Sequence, residues 1–266
     1  MKHLVSKQNR ILLTELVRTD FKLRYQGSVL GYTWSFLRPL LLFAILYIVF
    51  VKFLRIGGDI PHFPIYLLLG IVLWNFLSEV TSQSLSSIVG RGDLIRKIRI
   101  PRWIIVLSAS VSALINLGLN LLVVLAFMFF NKIDFLETSI WFPLILLQIY
   151  ILGLGLSLIL ATAFVKYRDV SYIWEVVLQA GFYVTPILYP LTLITNITYQ
   201  KLLLINPMAQ AIQDARYVLV THSTLTVGTV FKDVVYWTVP IGICLAFLLV
   251  GILYFRKEAK NFAEDL

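Results

Sequence analysis

Cationic and aromatic side chains crowd the stretch KLRYQGSVLGYTWSFLRP at residues 22–39, directly before and at the start of a long apolar run that begins at Phe36. Upstream, Leu13, Val17 and Phe21 recur every four residues, which places apolar side chains on one face of a helix and basic ones on the others. Such a helix suits the headgroup layer of a membrane. The alternative is a cytoplasmic helix that docks on its own protein.

Residue patterns for enzyme chemistry do not occur in the sequence. There is no phosphate-binding G-x-x-x-x-G-K-[ST] loop and no zinc-binding H-E-x-x-H. The one cysteine, Cys244, lies in an apolar run. The run from Gly153 to Ser157 resembles a glycine loop, but within an apolar segment it predicts a helix face for close packing. We therefore expect no catalysis, no metal and no cofactor bound by this chain.

Membrane helices are the elements that must position the basic and aromatic residues. The chain has 266 residues, of which 59% are hydrophobic and 14% charged, whereas a soluble domain carries roughly 25% charged residues. Its apolar runs are long enough to cross ~30 Å of hydrocarbon. We predict an all-α integral membrane protein with six transmembrane helices. The predicted spans are 36–53, 63–81, 103–130, 140–165, 171–189 and 234–255.

The distribution of positive charge predicts how the chain is oriented in the membrane. Most of the 23 lysines and arginines lie in the N-terminal arm, in the loops after the second and fourth spans, and at the C-terminus. The positive-inside rule therefore predicts that both termini are cytoplasmic. Since membrane orientation accounts for the net charge of +9, no nucleic-acid partner is expected.

Two connecting segments carry structure of their own. The loop GRGDLIRKIRIPRW at 90–103 mixes basic and apolar residues before Pro101, which predicts a short helix that another protein grips, or a simple orientation signal. The segment 186–222 is broken at Asn206-Pro207 and is too apolar for a free loop. It predicts a re-entrant helical hairpin on the outer side, or an amphipathic helix on the surface.

Ionisable residues within the predicted spans are few. Glu79 and Glu175 both lie near predicted cytoplasmic ends, where water can reach them. A proton- or ion-coupled carrier would need carboxylates at the membrane midplane, and these are missing from the sequence. Aromatic residues make up 14% of the chain, and interfacial anchoring is their usual role.

In this order and spacing, the segments resemble the permease subunit of type-2 ATP-binding-cassette exporters, in the branch that exports O-antigen, capsule or teichoic-acid polysaccharides. The likeness covers nearly the whole chain. A departure is Arg99-Ile100, where an apolar, aromatic-rich run is expected. The residues that carry the likeness are Arg24-Tyr25, Ser28, Leu30-Gly31, Trp34 and Pro39; Leu94 to Lys97 with Pro101-Arg102; Arg168-Asp169; Pro186-Ile187 and Tyr189; and Asn206-Pro207.

The resemblance implies a homodimer in a bacterial cytoplasmic (inner) membrane, with two copies of a separate ATPase subunit that binds ATP and Mg²⁺. The substrate would be a lipid-linked polysaccharide. Residues 1–35 would form an interface arm and 36–266 the permease domain, with a coupling loop at 85–102 and an outer hairpin at 186–222. The implied sites are ATPase coupling at Asp93, Leu94, Ile95, Arg96 and Lys97; a lipid-headgroup entrance at Lys22, Arg24, Tyr25, Trp34 and Arg38; channel-lining aromatics at Tyr66, Trp74, Tyr150, Phe182, Tyr183 and Tyr189; and an outer gate at Pro186, Asn206 and Pro207.

Two other readings stay open. A drug, lipid or teichoic-acid exporter of the same superfamily would share these features. A membrane-embedded lipid-sugar transferase would also show a basic interfacial arm, but it would need acidic residues on a cytoplasmic loop to hold a metal-diphosphate, and Asp93 and Asp169 are far apart in the sequence.

Overall fold

The computed structural model describes residues 7–25, 30–55, 58, 60–97, 100–134, 136–260 and 262, and this part of the chain contains helices and turns but no strands. The predicted all-α class is therefore confirmed. Its helices are α1 (Lys7–Tyr25), α2 (Trp34–Leu46, continued by a π-helical stretch Tyr47–Phe53), α3 (Phe63–Ser87), α4 (Gly92–Lys97), α5 (Trp103–Phe130), α6 (Phe142–Lys166), α7 (Val170–Val184), α8 (Ile197–Ile205), α9 (Pro207–Leu219), α10 (Val227–Phe231) and α11 (Thr238–Glu258).

Five helical segments of the described chain are long and apolar enough to cross a membrane, which leaves the predicted count of six unconfirmed. The shortfall lies in the predicted span 171–189. Its helix, α7, has 15 residues and is about 22 Å long, less than the hydrocarbon thickness. Thr185 is extended because Pro186 follows it, and the residue before a proline is pushed out of helical geometry. The five segments are Trp34–Phe53, Phe63–Ser87, Trp103–Phe130, Glu137–Lys166 and Val235–Glu258.

Helix α3 forms the centre of the bundle. It packs against α2, α5, α6, α7 and α9, and most of its side chains from Phe63 to Leu85 are buried. An apolar helix surrounded by other helices can be hydrophobic on all sides, whereas its neighbours keep one face toward lipid. Helix α7 is the opposite case, since none of its residues is buried.

Small residues bring α6 close to both α3 and α11. A Cβ atom on Gly155 would lie 2.6 Å from the backbone nitrogen of Leu248, and one on Gly251 would lie 2.5 Å from the carbonyl oxygen of Gly155. On the other side, the Ser157 hydroxyl donates to the carbonyl of Val80 at 3.1 Å. The predicted close-packing face at Gly153 to Ser157 is confirmed, because only small residues let helix backbones approach this closely.

The outer segment 186–222 contains two helices, α8 and α9, and the break between them lies at Asn206-Pro207, where the sequence predicted a break. Asn206 ends α8 and caps α9, accepting a hydrogen bond from the backbone nitrogen of Met208 at 2.9 Å. Pro207 fits the first turn of α9 because that position needs no amide donor. All of α9 except Pro207 and Tyr217 is buried, so its backbone is covered by protein. Its depth in the membrane stays a prediction.

Both predicted cytoplasmic elements are helical. Helix α1 rests on α5 and buries Leu16, while Ile11 is exposed. The helix thus docks on its own protein along one side and leaves another side open, as an interfacial helix requires. Helix α4 is the short helix predicted before Pro101.

Candidate functional site

A cavity of about 640 Å³ lies between α2, α3 and α5. Helix α3 contributes a continuous stripe to it, because residues three and four apart lie on one face of a helix. That stripe begins at Val72 and ends at Gln83, in the half of the bundle predicted to face the cytoplasm. The lining residues are Trp34, Ser35, Arg38 and Pro39 of α2, Val72, Asn75, Phe76, Ser78, Glu79, Ser82 and Gln83 of α3, and Asn116, Leu117 and Asn120 of α5.

The polar wall of the cavity is organised around Glu79. Its carboxylate accepts one hydrogen bond from the side-chain amide of Gln83 at 2.7 Å and another from that of Asn116 at 2.6 Å. Asn120 donates to the backbone carbonyl of Asn116 at 2.9 Å. Asn116 is only 6% exposed, yet its Oδ1 has no hydrogen-bond partner in the described structure. The wall therefore presents carboxylate, amide and hydroxyl groups to one space.

The structure unites two of the five residues predicted for the entrance. Trp34 and Arg38 both line the cavity, and the Trp34 side chain is 43% exposed at its rim. Lys22 is exposed on α1. The side chains of Arg24 and Tyr25 lie outside those that the structure describes, so their predicted role stays a prediction.

The predicted coupling helix is anchored by one side and open on the other. Ile95 packs into an apolar cluster that includes Ile105 and Phe262, whereas Asp93 is exposed and Leu94 is half-buried. The side chains of Arg96 and Lys97 lie outside the described ones.

Arg91, immediately before α4, connects three elements. Its Nη2 donates to the carboxylate of Asp20 on α1, and its Nη1 donates to the hydroxyl of Ser108 on α5 at 3.0 Å. Arg91 thereby joins the start of α4 to α1 and to α5, the helix that carries Asn116. This contact was not predicted, because a basic residue in a basic loop does not reveal its partner.

The six aromatics predicted to line a channel occupy different environments. Tyr66 is 1% exposed in the core, and Trp74 is buried against Gly181 and Phe182, so these two face no surface of the chain. Tight packing around α3 is the reason, since its buried stripe continues through both residues. Of the others, the Tyr150 hydroxyl lies 3.1 Å from that of Ser110, Phe182 is half-buried, Tyr183 is 63% exposed, and the Tyr189 hydroxyl donates to the Val184 carbonyl at 3.0 Å.

Arg216 joins α9 to α3 and to the segment at Pro186-Ile187 through contacts that we call the arginine clasp, which was not predicted from the sequence. Its fully buried guanidinium donates to the carbonyl oxygens of Tyr66, Pro186 and Ile187 at 2.9, 2.6 and 2.7 Å, and it lies 3.7 Å from the Tyr66 ring centroid. The planar fork of arginine suits such multiple contacts. The clasp fixes Pro186, a predicted outer-gate residue, against α3. A signal was present, since Arg216 is the one lysine or arginine between Lys201 and Lys232.

A buried polar chain lies beside the clasp. Gln148 of α6 donates to Gln210 of α9, and Gln210 donates to the carboxylate of Asp214. Burial raises the pKa of Asp214 from 3.8 to about 7, and the hydrogen bond from Gln210 lowers it only partly. The second carboxylate oxygen of Asp214 has no partner in the described structure.

Comparison with known proteins identifies the family. A sequence model of the ABC-2 type transporter matches residues 12–220, which run from α1 through α9 and include the cavity and the clasp. The O-antigen export system permease protein RfbA of Myxococcus xanthus is 32% identical over 220 residues, covering 81% of this chain and 82% of that protein. RfbA of Klebsiella pneumoniae is 29% identical over 256 residues, covering 96% and 95%. The polysialic acid transport protein KpsM of Escherichia coli is 24% identical over 213 residues, covering 78% and 80%. The chain therefore belongs to the ABC-2 type transporter family.

Proposed function

We propose that this chain is the membrane-spanning permease subunit of an ATP-driven exporter that moves a lipid-linked polysaccharide of the O-antigen type across a bacterial cytoplasmic membrane. The observation that carries the proposal is its similarity to permeases named for O-antigen export, one of which matches 96% of this chain with 95% of its own length. A cavity wall of amide, hydroxyl and carboxylate groups is compatible with a hydroxyl-rich substrate.

In the proposed exporter, a separate ATPase subunit carries out the bond-breaking chemistry. A separate ATPase subunit binds ATP and Mg²⁺, and this chain supplies the path and the contacts that differ between conformations. Two copies of each subunit form the working exporter, with both termini of this chain in the cytoplasm. Helix α4 seats in the ATPase through its exposed side, where Asp93 lies.

Conformational change then passes from α4 into the bundle through Arg91. Because its guanidinium contacts Asp20 and Ser108 together, a shift of α4 displaces both α1 and α5. Those helices carry Lys22, a residue predicted for the cytoplasmic entrance, and Asn116, which lines the cavity. At the outer side, the arginine clasp makes the segment at Pro186 move with α3 and α9 as one unit.

Deleting the gene in its own bacterium tests the function. The expected result is loss of long surface polysaccharide on gels, accumulation of lipid-linked glycan inside the cell, and restoration by the intact chain only when the partner ATPase is active. Unchanged surface glycan together with increased sensitivity to lipophilic drugs would refute the proposal and favour the drug-exporter alternative.

A further inference from the structure

We infer that the cavity between α2, α3 and α5 is a binding site for a single pyranose unit of the exported glycan. The inference rests on the proposed function and adds a site within one protomer that contacts the sugar itself. Its volume of about 640 Å³ falls within the roughly 300–1,000 Å³ typical of small-molecule sites.

Part of the cavity wall is preorganised by hydrogen bonds between its own side chains. The Glu79 carboxylate accepts from Gln83 at 2.7 Å and from Asn116 at 2.6 Å, which fixes these three groups before a ligand arrives. Asn75 lines the cavity on the same face of α3 and is half-buried, and a side-chain amide can both donate to and accept from a ligand hydroxyl.

The cavity wall offers both donors and acceptors to sugar hydroxyls. A carboxylate accepts from them, whereas amides and hydroxyls both donate and accept, and this cavity gathers Glu79, Gln83, Asn75 and Ser82. At the rim, the partly exposed indole of Trp34 offers an apolar face to the C–H side of a sugar ring.

The same wall argues against a diphosphate headgroup as the occupant. Arg38 is the one cationic side chain among the described lining residues, and Glu79 places a carboxylate in the same space. The Glu79 carboxylate opposes the binding of a diphosphate, whose two negative charges the single positive charge of Arg38 does not offset. The cavity therefore favours a polar but uncharged unit.

Thiol labelling of the complete exporter, with its ATPase, tests the site. Cys244 is buried, so a cysteine introduced at Ser82 in the cavity reacts with a methanethiosulfonate reagent without competition from it. The matched control is Ser86→Cys, exposed one turn later on α3 and outside the cavity lining. The probes are the methyl glycosides of glucose, galactose, mannose and N-acetylglucosamine, and inorganic pyrophosphate.

We expect at least one glycoside to slow labelling of Ser82→Cys while Ser86→Cys reacts at an unchanged rate. Adding Asn75→Leu should raise the protecting concentration about tenfold, the value of one hydrogen bond. Absence of labelling at the buried Cys244 in that background shows that the protein is folded.

Three results would overturn the inference: no glycoside protects Ser82→Cys, protection persists unchanged with Asn75→Leu, or pyrophosphate protects and the glycosides do not. Failure here is separable from failure of the proposed function. If gene deletion abolishes surface glycan but no glycoside protects, only the sugar site is wrong. If deletion leaves surface glycan intact, the exporter function itself is wrong.

Discussion

At the scale of single residues, Arg216 has the most demanding environment in the described structure. A guanidinium taken wholly out of water is tolerated only when its donors are satisfied, and three backbone carbonyls and the Tyr66 ring do this. The exact fit of Gly70 is part of that arrangement, since a Cβ atom there would lie 2.5 Å from Nη2 of Arg216.

Gly70→Ala should therefore lower the melting temperature of the purified protein, by displacing the guanidinium from carbonyls that would each cost about 1–3 kcal/mol if left unpaired. The matched control is Gly118→Ala on α5, where a new Cβ meets nothing within 4 Å. That variant should be neutral or slightly stabilising, because alanine favours the helix. Equal melting temperatures for the two variants would contradict the arginine clasp.

The raised pKa of Asp214 predicts that the stability of the folded protein depends on pH. An aspartate ionises near pH 4 in an unfolded chain and Asp214 near pH 7 in the folded protein, so between these values the folded state binds the extra proton. Stability should fall as pH rises from about 4 to about 7 and level off above it, with each pKa unit worth about 1.4 kcal/mol.

Asp214→Asn keeps the acceptor for Gln210 and removes the charge. Thermal melts at pH 5 and pH 8 should show a higher melting temperature than wild type at pH 8 and a smaller change between the two pH values. Asp233→Asn, at an exposed helix cap, is the control and should keep the wild-type dependence. If Asp214→Asn keeps the wild-type dependence on pH as well, the buried carboxyl group of Asp214 is not the source of that dependence.

At the scale of elements, the contact between Asp20 and Arg91 is predicted to connect α1 with α4. The pair is partly exposed, at 19% and 25% for the two side chains, so its contribution to stability is modest, about 1 kcal/mol or less. Its importance lies in geometry, because the same guanidinium also holds Ser108 at 3.0 Å.

Charge reversal in Arg91→Asp should reduce the stimulation of the partner's ATPase, and the double variant Asp20→Arg with Arg91→Asp should restore part of it. Lys166→Asp is the control, because its partner Glu258, at 2.6 Å, joins α6 to α11. ATPase assays on purified exporter measure all variants. Absence of any rescue in the double variant would show that the pair does not transmit coupling.

At the scale of the whole molecule, the proposed assembly depends on α4 docking into the ATPase. Arg96→Glu with Lys97→Glu should reduce co-purification of the ATPase and abolish its stimulation while leaving membrane insertion intact. Arg256→Glu with Lys257→Glu in the last turn of α11 makes the same change in charge on the same predicted side of the membrane. If both double variants behave alike, α4 has no special place in docking.

Several elements were predictable because their signals are local. The small residues from Gly153 to Ser157 revealed a close-packing face, and Asn206-Pro207 revealed the break between α8 and α9. The predicted span 171–189 was longer than helix α7, because the apolar run in the sequence continues through Pro186 whereas the residue before a proline leaves helical geometry. The burial of Tyr66 and Trp74, both predicted to line a channel, was not predictable, because an aromatic residue looks the same in sequence whether it faces a pore or a core.

The sequence by itself determined that this is an all-α membrane protein, roughly where its long apolar helices lie, and which superfamily it resembles. These follow from hydropathy, charge bias and helix-breaking residues, which act over a turn or two of chain. Only the tertiary structure decided which polar groups meet. Glu79 reaches Asn116 on another helix, and Arg216 reaches Tyr66, 150 positions away. Burial and hydrogen bonding depend on contacts between such distant segments, so the cavity and the clasp became visible only in the folded chain.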